Sequence, residues 1–252
     1  MSSISEPARA ATALSPTFIR RPYHGSCHCK NVKYLTWIHL PEGGSSAESL
    51  ASDQPVPKFA DTDVKKFIEA TGQEIYKCNC TTCHKLGHFH LRLADSPRDF
   101  LLLRPLAEPG QSGSELTPYV KSEGRAKWYF CSWCGTQVFS IIGELERVDG
   151  VKVPAKTLAE MGLESEGHVV DGPPLESNAE RVVSGLSPKS EGWDEDGEAR
   201  TSYFSLNLIT VDAAQGGFDL REIQERGWVQ YLDAIDYSPE ERTNRPHKYG
   251  MY

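Results

Sequence analysis

The 252-residue sequence has no long apolar run and no excess of positive charge. A membrane-spanning helix needs roughly 18 or more consecutive apolar residues, and no segment approaches that length. Lys and Arg number 27 against 35 Asp and Glu, and 27 − 35 gives a net charge of −8. Nucleic-acid binding relies on clustered Lys and Arg that neutralise phosphates. We therefore expect neither a nucleic acid nor a membrane as a partner.

The N-terminal segment lacks the apolar stretch of a secretory signal peptide. It is rich in Ser and Ala and contains several Arg but a single acid, Glu6, a composition that organellar transit peptides share. We interpret residues 1–21 as a disordered tail, with a transit peptide as the alternative. We place one domain at 22–236 and a C-terminal tail at 237–252. The predicted location is the cytoplasm, because clustered free thiols are typical of a reducing compartment.

Short β-rich segments separated by loops rich in Gly, Ser and Pro predict a mainly β fold with long loops and a few short helices. Four segments are predicted to form strands: 23–39, 100–103, 137–142 and 203–211. Helical spacing of apolar residues predicts a short helix in 61–70, and 218–231 reads as a short helix and turn. The segment 164–200 is acidic and interrupted by Pro and Gly, which predicts a long, partly disordered insertion.

Cysteine is the residue type that carries most information about function. There are seven, an odd number, so a closed set of disulfides cannot use them all. They fall into three tight groups, in which close neighbours are poorly placed to bridge each other. Groups of this kind are more typical of metal ligands than of a secreted disulfide framework. The groups are Cys27 and Cys29; Cys78, Cys80 and Cys83; and Cys131 and Cys134.

The first and last groups can together close one metal site. Cys131 to Gly135 read C-x-x-C-G, a pattern typical of a zinc knuckle in which the glycine permits a tight turn, although redox motifs share the C-x-x-C spacing. On an extended strand, residues two apart point to the same face, so Cys27 and Cys29 can bind one ion. Four cysteine thiolates form a closed structural zinc site with Zn–S distances of about 2.3 Å.

The middle group predicts a second ion with one ligand fewer. Cys78, Cys80 and Cys83 lie within six positions, too close to separate far in space. Three protein ligands leave a tetrahedral zinc with an open position for water or substrate, which is the arrangement of catalytic zinc sites. The hypothesis is therefore two Zn²⁺ ions per chain, one structural and one catalytic. The alternatives are one cluster with spare thiols, or free buried cysteines.

Three stretches resemble the glutathione-dependent formaldehyde-activating family, which includes the centromere-protein-V type domains. They are GSCHC at 25–29, CNCTTCHKLG at 78–87 and YFCSWCGT at 129–136. The resemblance covers about half of the chain, 23–146. It implies a small fold of stacked β-sheets and a carbon–sulfur lyase activity. It also implies a structural zinc on Cys27, Cys29, Cys131 and Cys134, and a catalytic zinc on Cys78, Cys80 and Cys83.

Two positions depart from the pattern of that family, which often has Arg where this chain has Trp128 and usually has Arg where it has His84. Lys85 and Gly87 agree with the pattern. Trp128 and Trp133 are expected to pack around the zinc knuckle. The long loops at 41–57 and 164–200 are candidates for shaping the entrance of a substrate pocket.

We predict a zinc-dependent carbon–sulfur lyase that forms or cleaves a thiol adduct of glutathione with a small carbonyl compound. A thiol bound to zinc is deprotonated and becomes a good nucleophile. Lys85 and His88 are candidates to bind a substrate carboxylate; His84 and His90 are close in sequence, and all four could instead simply face solvent. Two other functions remain open: a zinc-stabilised binding module without catalysis, and an enzyme of this kind acting on a larger metabolite.

Overall fold

The computed structural model describes residues 17–42, 63–121, 126–163, 179–190, 192–193, 199–200, 203–235, 242–243 and 246–247. Within these residues the fold is mainly β with a few short helices, which confirms the predicted fold class. No helix among them is long and apolar enough to cross a membrane. The α-helices are α1 (Asp63–Thr71), α2 (Thr81–Leu86), α3 (Ser96–Asp99), α4 (Ala155–Glu160) and α5 (Leu220–Glu225), and one 3-10 turn covers Leu208–Thr210.

The first sheet has five antiparallel strands in the order β1-β2-β5-β10-β9. Its first two strands form a hairpin whose register runs from Phe18 opposite Pro41 to Ser26 opposite Lys33. This hairpin ends at the turn that carries the first cysteine pair. The strands are β1 (Phe18–Ser26), β2 (Lys33–Pro41), β5 (Phe100–Arg104), β9 (Leu145–Pro154) and β10 (Glu180–Pro188).

The second sheet has eight strands in the order β15-β14-β3-β4-β13-β8-β7-β6. Every pairing in it is antiparallel except that of β14 with β3. The strands are β3 (Glu74–Cys78), β4 (Phe89–Arg92), β6 (Leu116–Val120), β7 (Lys127–Cys131), β8 (Gln137–Ile142), β13 (Tyr203–Asn207), β14 (Val229–Leu232) and β15 (Arg242–Thr243). A separate two-stranded ladder joins β11 (Gly192–Trp193) and β12 (Ala199–Arg200).

The two sheets pack face to face around a shared apolar core. Phe100 of the first sheet lies with its ring centroid 5.5 Å from that of Phe139 and 4.6 Å from that of Phe204, both in the second sheet. Side chains alternate between the faces of a strand. In the strand β4, Phe89 and Leu91 belong to this core, so His90 lies on the opposite face of the second sheet. That outer face carries the polar residues of the candidate site.

The structure corrects three expectations about secondary structure. β1 begins at Phe18, so residues 18–21 are part of a strand and not of a disordered tail. The segment 164–200 contains the nine-residue strand β10, which pairs with β9 and β5 and is partly buried, so it is not simply a loop insertion. Cys27 and Cys29 lie in the turn after β1 rather than on a strand. The predicted tail residues 1–16, like the loop residues 43–57, are outside the described residues.

Candidate metal centres

The four-cysteine cluster comprises Cys27, Cys29, Cys131 and Cys134, and its four Sγ atoms all lie within 4.8 Å of one another. The Sγ atoms of Cys27 and Cys29 are 3.5 Å apart, and those of Cys29 and Cys131 are 3.6 Å apart. Four sulfurs arranged tetrahedrally around zinc at 2.3 Å would be about 3.8 Å apart. The cluster therefore has the size of a closed metal site, and its all-sulfur donor set suits zinc.

Two tight turns bring these four thiols together. After β1, the Lys30 amide donates to the Cys27 carbonyl at 2.9 Å, and Lys30 itself adopts a positive φ of 62°. After β7, the Gly135 amide donates to the Cys131 carbonyl at 2.8 Å, and Gly135 has a φ of 72°. A glycine adopts this left-handed conformation without a steric penalty. The first turn belongs to one sheet and the second to the other, so the cluster links the two sheets.

The three-cysteine cluster comprises Cys78, Cys80 and Cys83, whose Sγ atoms also lie within 4.8 Å of one another. Cys78 ends β3, and Cys80 caps the start of α2 by accepting a hydrogen bond from the Cys83 amide at 3.4 Å. Cys78 and Cys83 are buried, whereas Cys80 is partly exposed. This cluster offers three ligand atoms, and the metal would be reached from solvent on the Cys80 side.

The loop that carries this cluster is held from two sides. Asn79, between two of the cysteines, donates its side-chain amide to Asp233 at 2.7 Å, and its side-chain oxygen accepts from the Ala234 amide at 2.7 Å. These contacts fasten the loop to the residues after β14. On the other side, α2 ends at Gly87 with a φ of 62°. The chain then continues into β4, and the His88 amide donates to the Cys83 carbonyl at 3.0 Å.

His90 of β4 contacts the cluster directly. Its Nε2 atom lies 3.1 Å from the Sγ atom of Cys83, and its Nδ1 atom lies 2.8 Å from the hydroxyl oxygen of Ser205. The imidazole stacks on the ring of Tyr76, with centroids 4.2 Å apart and an interplanar angle of 6°. Among the described residues, the group of ligand atoms within 4.8 Å of one another at this site contains the three cysteines and not His90. His90 is therefore a neighbour of the ligands in this structure and not a fourth ligand.

Within each cluster one sulfur holds the negative charge more readily than its neighbours do. Hydrogen bonds from the thiols of Cys78 and Cys83 lower the pKa of Cys80 to about 2, and hydrogen bonding within the cluster raises the pKa of Cys78 and of Cys83. Burial raises the pKa of Cys27 to about 12. Burial also raises the pKa of Cys134, but hydrogen bonds from Thr136 and Cys29 together outweigh burial and lower this pKa to about 5. A metal would displace the remaining thiol protons as it binds.

The substrate residues suggested by the sequence lie in different environments. Lys85 is exposed in the last turn of α2, a position open to a ligand, and its role stays a prediction. His88 is fully buried, and its ring nitrogens contact the Gln137 side-chain oxygen and, at 3.3 Å, the Ser205 hydroxyl. Because His88 is buried and both of its ring nitrogens contact other side chains, its position does not favour binding of a substrate carboxylate. Trp133 is 76% exposed, so the expectation that it packs around the knuckle is wrong.

A cleft of about 670 Å³ opens beside the four-cysteine cluster, and Cys27, His28 and Thr136 line one side of it. A second cleft of about 380 Å³ is lined by Lys77 and Phe89 among others, and shares two lining residues with the first. Lys77 precedes Cys78, but alternation along β3 directs its side chain to the opposite face of the sheet. Neither cleft is lined by a residue of the three-cysteine cluster. Of the three cysteines in that cluster, Cys80 is the partly exposed one.

Comparisons with known proteins add little to this geometry. No protein-family profile matches the chain, and no curated protein matches it. A structural-genomics crystal structure of a Rhodobacter sphaeroides protein is similar at 11% sequence identity and a TM-score of 0.31, over 76% of this chain and 90% of that one. The assignment of the two sites therefore depends on the residues themselves. They comprise two cysteine groups, each of which could hold a metal ion.

Proposed function

We propose that the protein is a zinc-dependent carbon–sulfur lyase that reversibly joins a thiol, such as glutathione, to a small carbonyl compound. The observation that carries the proposal is the unequal size of the two cysteine clusters, with four sulfurs in one and three in the other. A tetrahedral zinc is saturated by four protein ligands and retains one exchangeable position with three. The three-cysteine cluster is thus the candidate active site.

The sequence separation of the ligands supports the same division. The four-cysteine cluster brings together residues about one hundred positions apart, such as Cys29 and Cys131, with a sequence separation of 102. A metal there restricts the unfolded chain strongly, as any long-range cross-link does. Cys78 and Cys83 lie within six positions, so an ion between them closes only a short loop. Stabilisation of the fold is therefore a weak reason for the second cluster, whereas binding a substrate is a sufficient one.

The reaction places simple demands on the site. When bound, a zinc ion supplies the positive charge that keeps a coordinated thiol deprotonated at neutral pH. In the forward direction a sulfur–carbon bond forms, the carbonyl π bond breaks and the thiol proton ends on the carbonyl oxygen. Cys78, Cys80 and Cys83 would hold the ion, and the exposed side at Cys80 would admit the thiol. Lys85, on the neighbouring helix surface, is proposed to pair with a carboxylate of glutathione.

The test is an exchange measurement, because the uncatalysed addition of a thiol to formaldehyde is itself fast. Glutathione and formaldehyde are mixed with the zinc-loaded protein, and NMR exchange spectroscopy measures the interconversion of free thiol and adduct. We expect acceleration above the spontaneous rate, and we expect Cys80→Ser to abolish it. Thr81→Ser, a change at the exposed first residue of α2, is the matched control and keeps the acceleration.

Two results would contradict the proposal. If protein with two bound metal equivalents does not accelerate exchange, and glutathione does not perturb the spectrum of a cobalt-substituted three-cysteine site, glutathione is not the substrate. A panel of other thiols and of unsaturated carbonyl compounds then decides between the remaining functions. Turnover of one of them identifies a related enzyme for a larger metabolite, and no turnover of any identifies a non-catalytic zinc module.

A further inference from the structure

A buried chain of hydrogen bonds ends on one sulfur of the three-cysteine cluster. It begins where the Asn207 side-chain amide donates to the Gln137 side-chain oxygen at 3.0 Å, and it continues from that oxygen to His88. The other nitrogen of His88 lies 3.3 Å from the Ser205 hydroxyl, which lies 2.8 Å from His90. All five of these residues are buried. The last link is the 3.1 Å contact between His90 Nε2 and the Sγ atom of Cys83.

This series of hydrogen-bonded side chains is more polar than the packing of a β-sheet requires. Burying hydroxyl, amide and imidazole groups costs free energy unless each is hydrogen-bonded. Apolar side chains fill the equivalent places on the opposite face, where Phe89 and Leu91 pack in the core. The imidazole and hydroxyl groups can each donate or accept, so His90 can present either a hydrogen or a lone pair to the sulfur.

We propose that His90 is a positioning residue of the three-cysteine metal site, that it acts through the sulfur of Cys83, and that Ser205 and His88 hold its imidazole in place. Residues hydrogen-bonded to metal ligands fix the orientation of those ligands and tune their donor strength. The stack on Tyr76 restricts the imidazole further, because it defines the ring plane. The proposal rests on the metal site of the proposed function, but not on its lyase activity.

The direct test is the rate at which the two metal ions leave the protein. A chromophoric chelator in excess reports one phase for each site, and the faster phase belongs to the three-cysteine cluster. His90→Phe retains a ring that can stack on Tyr76 but has no group to hydrogen-bond Cys83. Loss of a residue that is hydrogen-bonded to a metal ligand typically lowers metal affinity by about 10- to 100-fold. We therefore expect the faster phase to accelerate by about that factor and the slower phase to be unchanged.

The four-cysteine cluster provides a matched control. The Thr136 hydroxyl lies 3.3 Å from the Sγ atom of Cys134, so Thr136→Val removes a comparable contact from the other site. We expect Thr136→Val to accelerate only the slower phase. His90→Gln keeps an amide that can reach the sulfur, and it should restore part of the wild-type rate. An equal effect of His90→Phe on both phases would indicate general loosening of the fold and would overturn the proposal.

A spectroscopic measurement separates positioning from a merely structural role. With cobalt in the three-cysteine site, the sulfur-to-cobalt charge-transfer bands report the geometry and charge of the thiolates. His90→Phe should shift these bands in a protein whose melting temperature and slower phase are those of the wild type. Unchanged bands together with an unchanged faster phase would refute the proposal.

Ser205→Ala keeps the proposal testable if His90→Phe does not fold. It should accelerate the faster phase in the same direction by a smaller factor, and an unchanged rate would contradict the proposal. In a His90→Gln background, Ser205→Ala should have a smaller effect than in the wild type, because Ser205 acts through the imidazole. These measurements use no thiol adduct. If His90→Phe releases metal faster and the wild-type protein has no lyase activity, the proposed function is wrong and this inference still holds.

Discussion

Cys131 and Cys80 have the same side chain but different positions relative to the core. Cys131 is fully buried at the end of β7, and its sulfur lies 3.6 Å from that of Cys29, which belongs to the turn of the other sheet. Cys80 is partly exposed in a loop, and its cluster partners lie two and three residues away. Loss of the Cys131 thiol therefore removes a long-range link between the two sheets, whereas loss of the Cys80 thiol removes a local link.

We expect Cys131→Ser to lower the free energy of unfolding by on the order of 2–5 kcal/mol, the range for losing a long-range cross-link in a small domain. Cys80→Ser should lower it by a smaller amount, because an ion held between cysteines that lie within six positions closes only a short loop, and it should abolish the proposed activity. Chemical denaturation of both variants, prepared with zinc, measures the difference. Equal losses of stability in the two variants would remove the distinction between a structural and a catalytic site.

The sequence predicts the grouping of the metal ligands better than the roles of the residues around them. Spacing alone brings Cys78, Cys80 and Cys83 together, because five peptide units cannot separate them far. Whether His88 meets solvent or the interior depends on β13 and β8, which are distant in sequence. The alternation of polar and apolar residues from His88 to Leu91 signals a strand with one polar face. It does not indicate that this face is itself buried.

At the scale of secondary-structure elements, the strands that could be predicted are those in segments rich in apolar residues. The predicted segment 137–142 coincides with β8, and 100–103 lies within β5 (Phe100–Arg104). The sequence does not predict the strand β10, because the surrounding segment is acidic and rich in Gly and Pro. The strand pairs with β9 and β5, and its residues Val183 and Leu186 are buried in apolar clusters formed with residues distant in sequence. Tertiary pairing of this kind overrides the composition of the local sequence.

Gly185 shows how closely β10 packs on its neighbour. The register of its pairing with β9 shifts between Val183 and Gly185. A Cβ atom at Gly185 would lie 2.5 Å from the Leu101 Cδ1 atom and 2.7 Å from the Leu102 carbonyl oxygen. The backbone oxygen cannot move without disturbing β5. A side chain at this position therefore forces the two strands apart.

We expect Gly185→Ala to lower the free energy of unfolding by about 1–3 kcal/mol, the usual cost of overpacking a core. Gly216→Ala is the matched control, because a Cβ atom there would meet nothing within 4 Å. Its effect should stay within about 0.5 kcal/mol. Urea denaturation followed by circular dichroism measures both variants. A Gly185→Ala variant as stable as the control would mean that β10 does not pack on β5 as described.

At the scale of the whole molecule, the four-cysteine cluster connects the same two sheets that the apolar core connects. The β1–β2 hairpin contributes two thiols from the first sheet, and the turn between β7 and β8 contributes two from the second. The aromatic contacts of Phe100 with Phe139 and Phe204 join the same two sheets. A metal in this cluster and the apolar core therefore stabilise the same packing, and the three-cysteine cluster lies outside that link.

This arrangement predicts an order of metal loss. A mild chelator should remove the ion of the three-cysteine cluster first, because an open site exchanges more easily than a closed one. Removal of that first equivalent should leave the tertiary structure intact. Removal of the second should destabilise the packing of the two sheets, because the thiols of both hairpins are then released. We expect two equivalents of zinc per chain in protein purified under mild conditions.

Trp228 and Trp133 make the two steps visible by fluorescence. Trp228 is 3% exposed and stacks on Phe67 with ring centroids 5.0 Å apart, so it reports the core, whereas the 76% exposed Trp133 reports the knuckle between Cys131 and Cys134. The chain has five tryptophans, so the measurement uses a variant in which Phe replaces all of them except Trp228. Its emission should remain that of a buried indole through the first equivalent and shift to the red with the second. Cys80→Ser should show only the second step. If the core signal changes with the first equivalent, or both ions leave in one step, the two sites are not independent and the division between them is wrong.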